Sequence, residues 1–175
     1  MDIRFDGRQV LVTGCVRGIG QAIVQGFVES GATVWAWDDQ TGARARAAAE
    51  GMALTDLYQA DWSVPETLVL SPGIPDRLPE PHPLAARARQ AGCEIVCDVE
   101  LLGRAQPQAR FVGITGTNGK STTTALIGHV LAKAGLAAQV GGNLGRPVLD
   151  FEPAGPDGLY VLELSSYQLE RVNAI

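Results

Sequence analysis

Lys120 and Ser121 close a glycine-rich run, Phe111-Val-Gly-Ile-Thr-Gly-Thr-Asn-Gly-Lys-Ser-Thr-Thr-Thr124. Those residue types in that order suit phosphate chemistry. Glycines let backbone N–H groups close on an anion, and the start of a helix adds positive potential. An ammonium offsets charge on the terminal phosphates, and a hydroxyl can ligate Mg2+. The spacing departs from the common G-x4-G-K-[ST] loop, because Ile114 stands where that pattern needs glycine. What is present is Gly113-x-x-Gly116-x-x-Gly119-Lys120-Ser121. Glu163 ends the apolar run Leu159-Tyr-Val-Leu162. An acid at the C-terminal end of a buried parallel strand sits where such sheets place ligand chemistry, and it could hold Mg2+ opposite the loop. The plainer role for it is a strand-end carboxylate paired with a surface base.

A second glycine turn comes earlier, in Thr13-Gly-Cys-Val-Arg-Gly-Ile-Gly20. It follows an apolar strand pattern over 9–13 and precedes a helical stretch over 21–29. A second strand over 33–37 ends at Asp38-Asp39. Asp38 lies 18 residues beyond Gly20, near the spacing of an acid that reaches a ribose hydroxyl. Thr13, Gly14, Arg17, Gly18, Ile19 and Gly20 are therefore a candidate dinucleotide loop. The turn resembles the cofactor loop of short-chain dehydrogenases over residues 5–34, which implies NAD(P). The cofactor cues conflict: Arg17 would favour a 2′-phosphate and Asp38 would repel it. A βαβ unit holding another nucleotide, or none, fits the same residues.

These residues need strands and helices to position them. The pattern predicts helices over 43–51 and 84–91 and another beginning at 98. It predicts strands at 57–59, 67–70 and 93–96. Alternating elements argue for a doubly wound parallel sheet. Gln106-Pro107-Gln108 reads as a linker, with a Rossmann-like domain over 1–107 and the start of a phosphate-loop ATPase α/β domain over 108–175.

Composition bounds the rest. With 46% hydrophobic residues in 175, a sizeable core is available, and a net charge of −5 argues against a general binder of nucleic acid or anionic membrane. Cys15, Cys93 and Cys97 make neither a disulfide framework nor a zinc ribbon. There is no leader pattern and no long apolar run, so a cytoplasmic protein is expected. His82, in a proline loop, and His129, on the helix after the phosphate loop, suggest no metal pair.

From residue 33 onward a denser resemblance appears. Val34-Trp-Ala-Trp-Asp-Asp39, Leu70-Ser-Pro-Gly-Ile74, Asp98-Val-Glu-Leu101, the loop at 113–122, Gly141-Gly-Asn-Leu-Gly145 and Leu162-Glu-Leu-Ser-Ser-Tyr-Gln-Leu169 occur in order. Together they resemble the Mur ligases, ATP-dependent amide ligases of peptidoglycan precursor synthesis. The resemblance implies ATP and Mg2+ as cofactors, and UDP-sugar and amino-acid substrates. It places ATP on Gly116, Thr117, Asn118, Gly119, Lys120, Ser121 and Thr122. Lys120 and Glu163 would be catalytic, and Ser121 and Glu163 would hold the metal. Asp38, Asp39, Ser71, Pro72, Gly73, Asn143, Ser165, Ser166 and Gln168 would face the substrate. Taken alone, Gly-Gly-Asn is simply a turn.

The chain also departs from that family's pattern. Residues 1–31 look like a dehydrogenase start, and family members are much longer. A fragment or a recombined sequence is expected, inactive in ligation by itself. Hydride transfer is disfavoured, because Tyr167-x3-Arg171 stands in place of Tyr-x3-Lys and Leu-Ser-Pro-Gly replaces the Asn-Asn-Ala-Gly type segment.

Overall fold

The computed structural model describes residues 4–175 apart from 17, 50–52 and 156. The chain divides between Asp98 and Val99 into two compact units.

The first unit runs β1 (Gln9–Thr13), α1 (Gly18–Glu29), β2 (Thr33–Trp37), α2 (Thr41–Ala49), β3 (Thr67–Val69), α3 (Pro83–Gln90) and β4 (Glu94–Val96). Its sheet is parallel, in the order β2-β1-β3-β4. Such a sheet buries both faces, which is why β1 reads as an unbroken apolar run rather than an alternation. Leu11, Leu68 and Leu70 meet Leu57, Trp62 and Leu84 in its core. α1 stops where Gly31 takes a φ of +89°, a conformation that costs glycine little. α3 starts with Pro83, and the His82 ring accepts from Leu84 N–H at 3.3 Å as its cap.

Three expected elements differ: the first helix begins at Gly18, three residues before the expected 21, so Gly18 and Gly20 belong to its first turn. The strand at 57–59 does not form; Gln59 and Ala60 N–H both donate to Asp56 O, and the Asp56 side chain accepts from Tyr58 N–H, closing a turn. Leu57 is buried, so its hydrophobicity reports core burial rather than a strand. The second helix begins two residues earlier than expected, at Thr41, and is described as far as Ala49; the expected end at 50–51 lies outside the described residues.

The second unit holds α4 (Asp98–Ala105, all but its first residue), β5 (Arg110–Ile114), α5 (Lys120–Lys133), β6 (Ala138–Gly142), a 3-10 turn (Val148–Asp150), β7 (Leu159–Glu163) and α6 (Ser166–Leu169). Its sheet is parallel in the order β5-β7-β6, with β7 central. Tyr160, fully buried, stacks between Phe111 and Phe151 at 5.3 and 5.6 Å. Its hydroxyl accepts from Ala154 N–H and donates to Glu152 O, both at 3.0 Å, so the buried ring keeps no idle polar tip. α4 associates with this unit, not with the strands before it, although the composition change that suggested a linker comes later, at 106–108.

Candidate functional site

In the second unit the C-terminal ends of three strands converge. Register pairs Ile114, the last residue of β5, with Glu163, the last of β7, and Gly142, the last of β6, with the same Glu163. The loop from β5 turns into α5 through Gly119, whose φ of +76° puts it in the left-handed region. With no side chain, Gly119 supplies no cap to α5. No cap side chain thus covers the first-turn amides of α5, which suits anion binding at a helix start.

Ser121 Oγ donates to Glu163 Oε2 at 2.7 Å. Lys120 Nζ donates to the Gly116 carbonyl at 2.8 Å, and Thr124 Oγ1 donates to Lys120 O at 2.9 Å. The ammonium therefore lies along its own loop. Glu163 is buried, and Thr117, Asn118 and Thr122 are exposed. A hydroxyl and a carboxylate within hydrogen-bond distance form a hard-oxygen pair that fits Mg2+, which takes few protein ligands and keeps its waters.

Asn143 joins this end of the sheet through its backbone, N–H donating to Glu163 O at 3.1 Å. That approach depends on Gly142, with φ +99°; a Cβ there would lie 2.5 Å from Glu163 O. Beyond β7, Ser165 caps α6 in a reciprocal box with Gln168: Gln168 N–H donates to Ser165 Oγ at 3.1 Å and Ser165 N–H to Gln168 Oε1 at 2.9 Å. Gln168 is fully buried and Ser166 exposed.

The first unit has its own switch point. β1 connects to β2 on one side and neighbours β3 on the other, so the winding reverses between β1 and β3, the place where parallel α/β sheets hold their ligands. There Ser71 Oγ donates to Thr13 O at 2.6 Å, and Ser71 N–H meets Thr13 Oγ1 at 3.4 Å. A Cβ on Gly14 would run into Ser71 Oγ, and one on Gly20 into the Gly14 carbonyl. Two of the loop's glycines thus serve close packing within the fold, and that alone accounts for their type. Gly18, at φ +56°, has open space around it. Arg17 and the side chain of Ile19 lie outside the described residues. Pro72 is half-buried and Gly73 exposed.

At the end of β2 the two acids separate in role. Asp38 accepts from Gln40 N–H at 2.9 Å, and Arg44 donates to its carbonyl at 2.6 Å while lying 4.3 Å over the Trp37 ring. Asp39 is a hub: Trp37 Nε1 and Tyr58 Oη each donate to Oδ1 at 3.2 Å, and His82 Nε2 meets Oδ2 at 2.7 Å. Burial, then the Asp39 charge, raises the Tyr58 phenol and keeps it a donor. The sequence offers no cue to the His82 pairing, which joins residues 43 apart through a turn of chain. Cys15, Cys93 and Cys97 are buried and in no disulfide among the described residues.

Asp38, Asp39, Ser71, Pro72 and Gly73 belong to the first unit; Asn143, Ser165, Ser166 and Gln168 belong to the second. Of the residues expected to act together, the structure joins Ser121 to Glu163 by a side-chain hydrogen bond and brings Asn143 alongside through its backbone. Gly142 and Glu100 lie within the runs Gly141–Gly145 and Asp98–Leu101 but are not among the residues singled out there as site residues. Gly142 could have been singled out as a glycine at a strand end; the run Asp98–Leu101 marks Glu100 but not its partners at 173 and 174.

Parallel sheets with helical crossovers, each carrying a glycine turn at the carboxyl ends of its strands, define an α/β fold of the nucleotide-binding type: a Rossmann-like sheet, then the start of a phosphate-loop α/β unit. The model of the short chain dehydrogenase family matches residues 8–67. The UDP-N-acetylmuramoylalanine–D-glutamate ligase of Phenylobacterium zucineum is 50% identical over 98% of this chain and 38% of its own length. That of Rhodospirillum rubrum is 50% identical over 98% and 37%, and that of Paramagnetospirillum magneticum 48% over 97% and 37%. Over the length it spans, the chain is similar to these Mur ligases. It spans little more than a third of the length of these curated relatives. An alignment covering 98% of the chain takes in the turn at 13–20, so the dehydrogenase-like start lies within the part shared with the ligases. Among the described residues no helix is long and apolar enough to cross a membrane.

Proposed function

We propose that this chain is the nucleotide-handling part of a D-glutamate-adding ligase. In this reading the second unit binds Mg·ATP and the first unit binds UDP-N-acetylmuramoyl-L-alanine. The whole reaction joins D-glutamate to that substrate through an acyl phosphate, in the making of peptidoglycan precursor. The bond between Ser121 and Glu163, beside Lys120 at the start of α5, is the observation that carries it.

Lys120 and the N–H groups of the loop at 116–122 bind the phosphates and offset their charge. Ser121 and Glu163 are the residues that would hold Mg2+, which when bound draws charge from the terminal phosphate. Asn143, Ser165, Ser166 and Gln168 orient the substrate carboxylate toward that phosphate. Asp38, Asp39, Ser71, Pro72 and Gly73 hold the uridine nucleotide at the switch point of the first unit. Their place at the carboxyl ends of parallel strands supports this assignment.

The match of the short-chain dehydrogenase model to residues 8–67 favours a second reading, NAD(P) on Thr13, Gly14, Gly18 and Gly20. One experiment separates the two. Thermal unfolding is followed with Mg·ATP, UDP-N-acetylmuramoyl-L-alanine, NADH and NADPH. A ligand at about 100 times its Kd stabilises by roughly 2.7 kcal/mol, a shift of a few degrees. Shifts with the first two ligands, the ATP shift lost in Lys120→Ala, support the ligase reading. A shift with a nicotinamide cofactor alone overturns it.

A further inference from the structure

The segment after β7 carries Ser165, Ser166 and Gln168. α6 is a single turn of four residues. One turn does not hold itself in water, because nucleation fixes several dihedral angles for one hydrogen bond. The capping box fastens its entry. Its exit is fastened from α4. Glu100 Oε2 accepts from the backbone N–H of Asn173 at 2.6 Å and of Ala174 at 3.0 Å, and Oε1 accepts from Arg104 Nε at 2.8 Å. The Glu100 side chain is only 3% exposed.

Gly103, on the next turn of α4, completes the seat. A Cβ there would come within 2.6 Å of Ile175 Cγ2 and 3.0 Å of Ala174 Cβ. The end of the described chain thus lies in a groove with Gly103 as its floor and Glu100 as its anchor. A carboxylate withdrawn from water is costly unless its acceptors are filled. Here they are filled by two successive amides and a guanidinium. Charge-assisted bonds of this kind are short and directional, and two amides on one oxygen fix the direction of the chain as well as its position.

We propose that Glu100 is a positioning residue: by holding Asn173 and Ala174 it fixes the exit of α6, and so holds the turn at 165–168 against the end of β7. The proposal rests on the reading that this turn faces the UDP-sugar.

The test compares the 175-residue chain with Glu100→Gln and Glu100→Asp by residue-resolved hydrogen exchange and by titration calorimetry. Glutamine keeps the shape but turns a donor either toward both amides or toward the Arg104 guanidinium; aspartate keeps the charge on a shorter arm. The reporters are the amides of Gln168, Leu169, Glu170 and Arg171, whose acceptors lie within the turn. In Glu100→Gln they exchange about tenfold faster while those of β5 and β7 are unchanged. Affinity for UDP-N-acetylmuramoyl-L-alanine falls about fivefold or more while that for Mg·ATP stays within about twofold. Glu100→Asp lies between. Unchanged exchange at 168–171, with Asn173 and Ala174 released, overturns the proposal. So does equal acceleration in β7 with both ligands weakened together, which would mark Glu100 as merely structural. If the unmodified chain binds no UDP-sugar, the functional reading fails by itself, and the exchange comparison decides the role of Glu100.

Discussion

The Ser121 hydroxyl donates to the Glu163 carboxylate at 2.7 Å, across 42 residues of sequence. The contact exists because β5 and β7 are neighbours in register, Ile114 opposite Glu163, so the residue that ends one strand faces the helix launched by the other. A cation held by both oxygens must displace this hydrogen bond. The two groups are thus coupled in the protein before any ligand arrives.

Ser121→Ala removes the donor from a buried carboxylate and is expected to cost about 1–2 kcal/mol in denaturant unfolding. Glu163→Gln alone costs a comparable amount. The double variant is expected to lose less than the sum, by about 1 kcal/mol, as contacting residues do in a mutant cycle. Either change should also remove the Mg2+ dependence of ATP affinity. Additive losses, or a Mg2+ dependence that survives both changes, would separate the two residues.

Lys120→Ala should leave the fold nearly intact, with a melting point within about 2 °C, because the ammonium bonds to the Gly116 carbonyl of its own loop. ATP affinity should fall by about 100-fold or more, the size expected when a charged partner of phosphate is lost. Calorimetry with Mg·ATP reads the loss, and circular dichroism reads the fold.

The glycines of the two turns should separate by what surrounds them. Gly20→Ala drives a Cβ into the Gly14 backbone, and Gly142→Ala combines φ +99° with a Cβ 2.5 Å from Glu163 O. Each is expected to cost more than about 2 kcal/mol. Gly18→Ala, with open space around it, should cost only about 1 kcal/mol despite its φ of +56°. Equal effects at Gly18 and Gly20 would mean that conformation, not close approach, governs the first turn.

Acid sensitivity should trace to Glu100. Burial pushes its carboxyl up, but the Asn173 amide, the Arg104 bond and the Ala174 amide together outweigh this, and the net shift is downward from 4.5. A carboxyl lowered in the folded state stabilises fully above its unfolded value and loses that contribution as pH falls through the folded one. Unfolding free energy should therefore drop below about pH 4.5 in the native chain and be flatter there in Glu100→Gln.

Cys15 should be inert. Burial, with the Asp38 charge behind it, pushes its thiol up to about 11, so the thiolate that reacts is scarce at neutral pH. Alkylation by iodoacetamide at pH 8 should be slow in the folded chain and rapid in denaturant. Fast native labelling at Cys15 would mean that the loop after β1 opens readily.

Local pattern was enough to read β1, α1, β2, β7 and the helix after Lys120. Apolar runs closed by glycine turns and punctuated by acids carry their meaning within a few residues. The expected strand at 57–59 failed for the converse reason: burial of Leu57 comes from the surrounding core, and Asp56 closes a turn that periodicity does not encode.

The residue types of the candidate site were likewise written in the chain: Lys120 and Ser121 beside glycines, and an acid at the end of a buried strand. What only the tertiary structure decided is which distant groups meet. Ser121 reaches Glu163 because β5 and β7 are paired, Asp39 takes His82 from a loop 43 residues away, and Glu100 holds amides 73 and 74 residues on. These meetings depend on strand order and on burial, which make long-range partners compulsory for groups cut off from water. No local spacing records them.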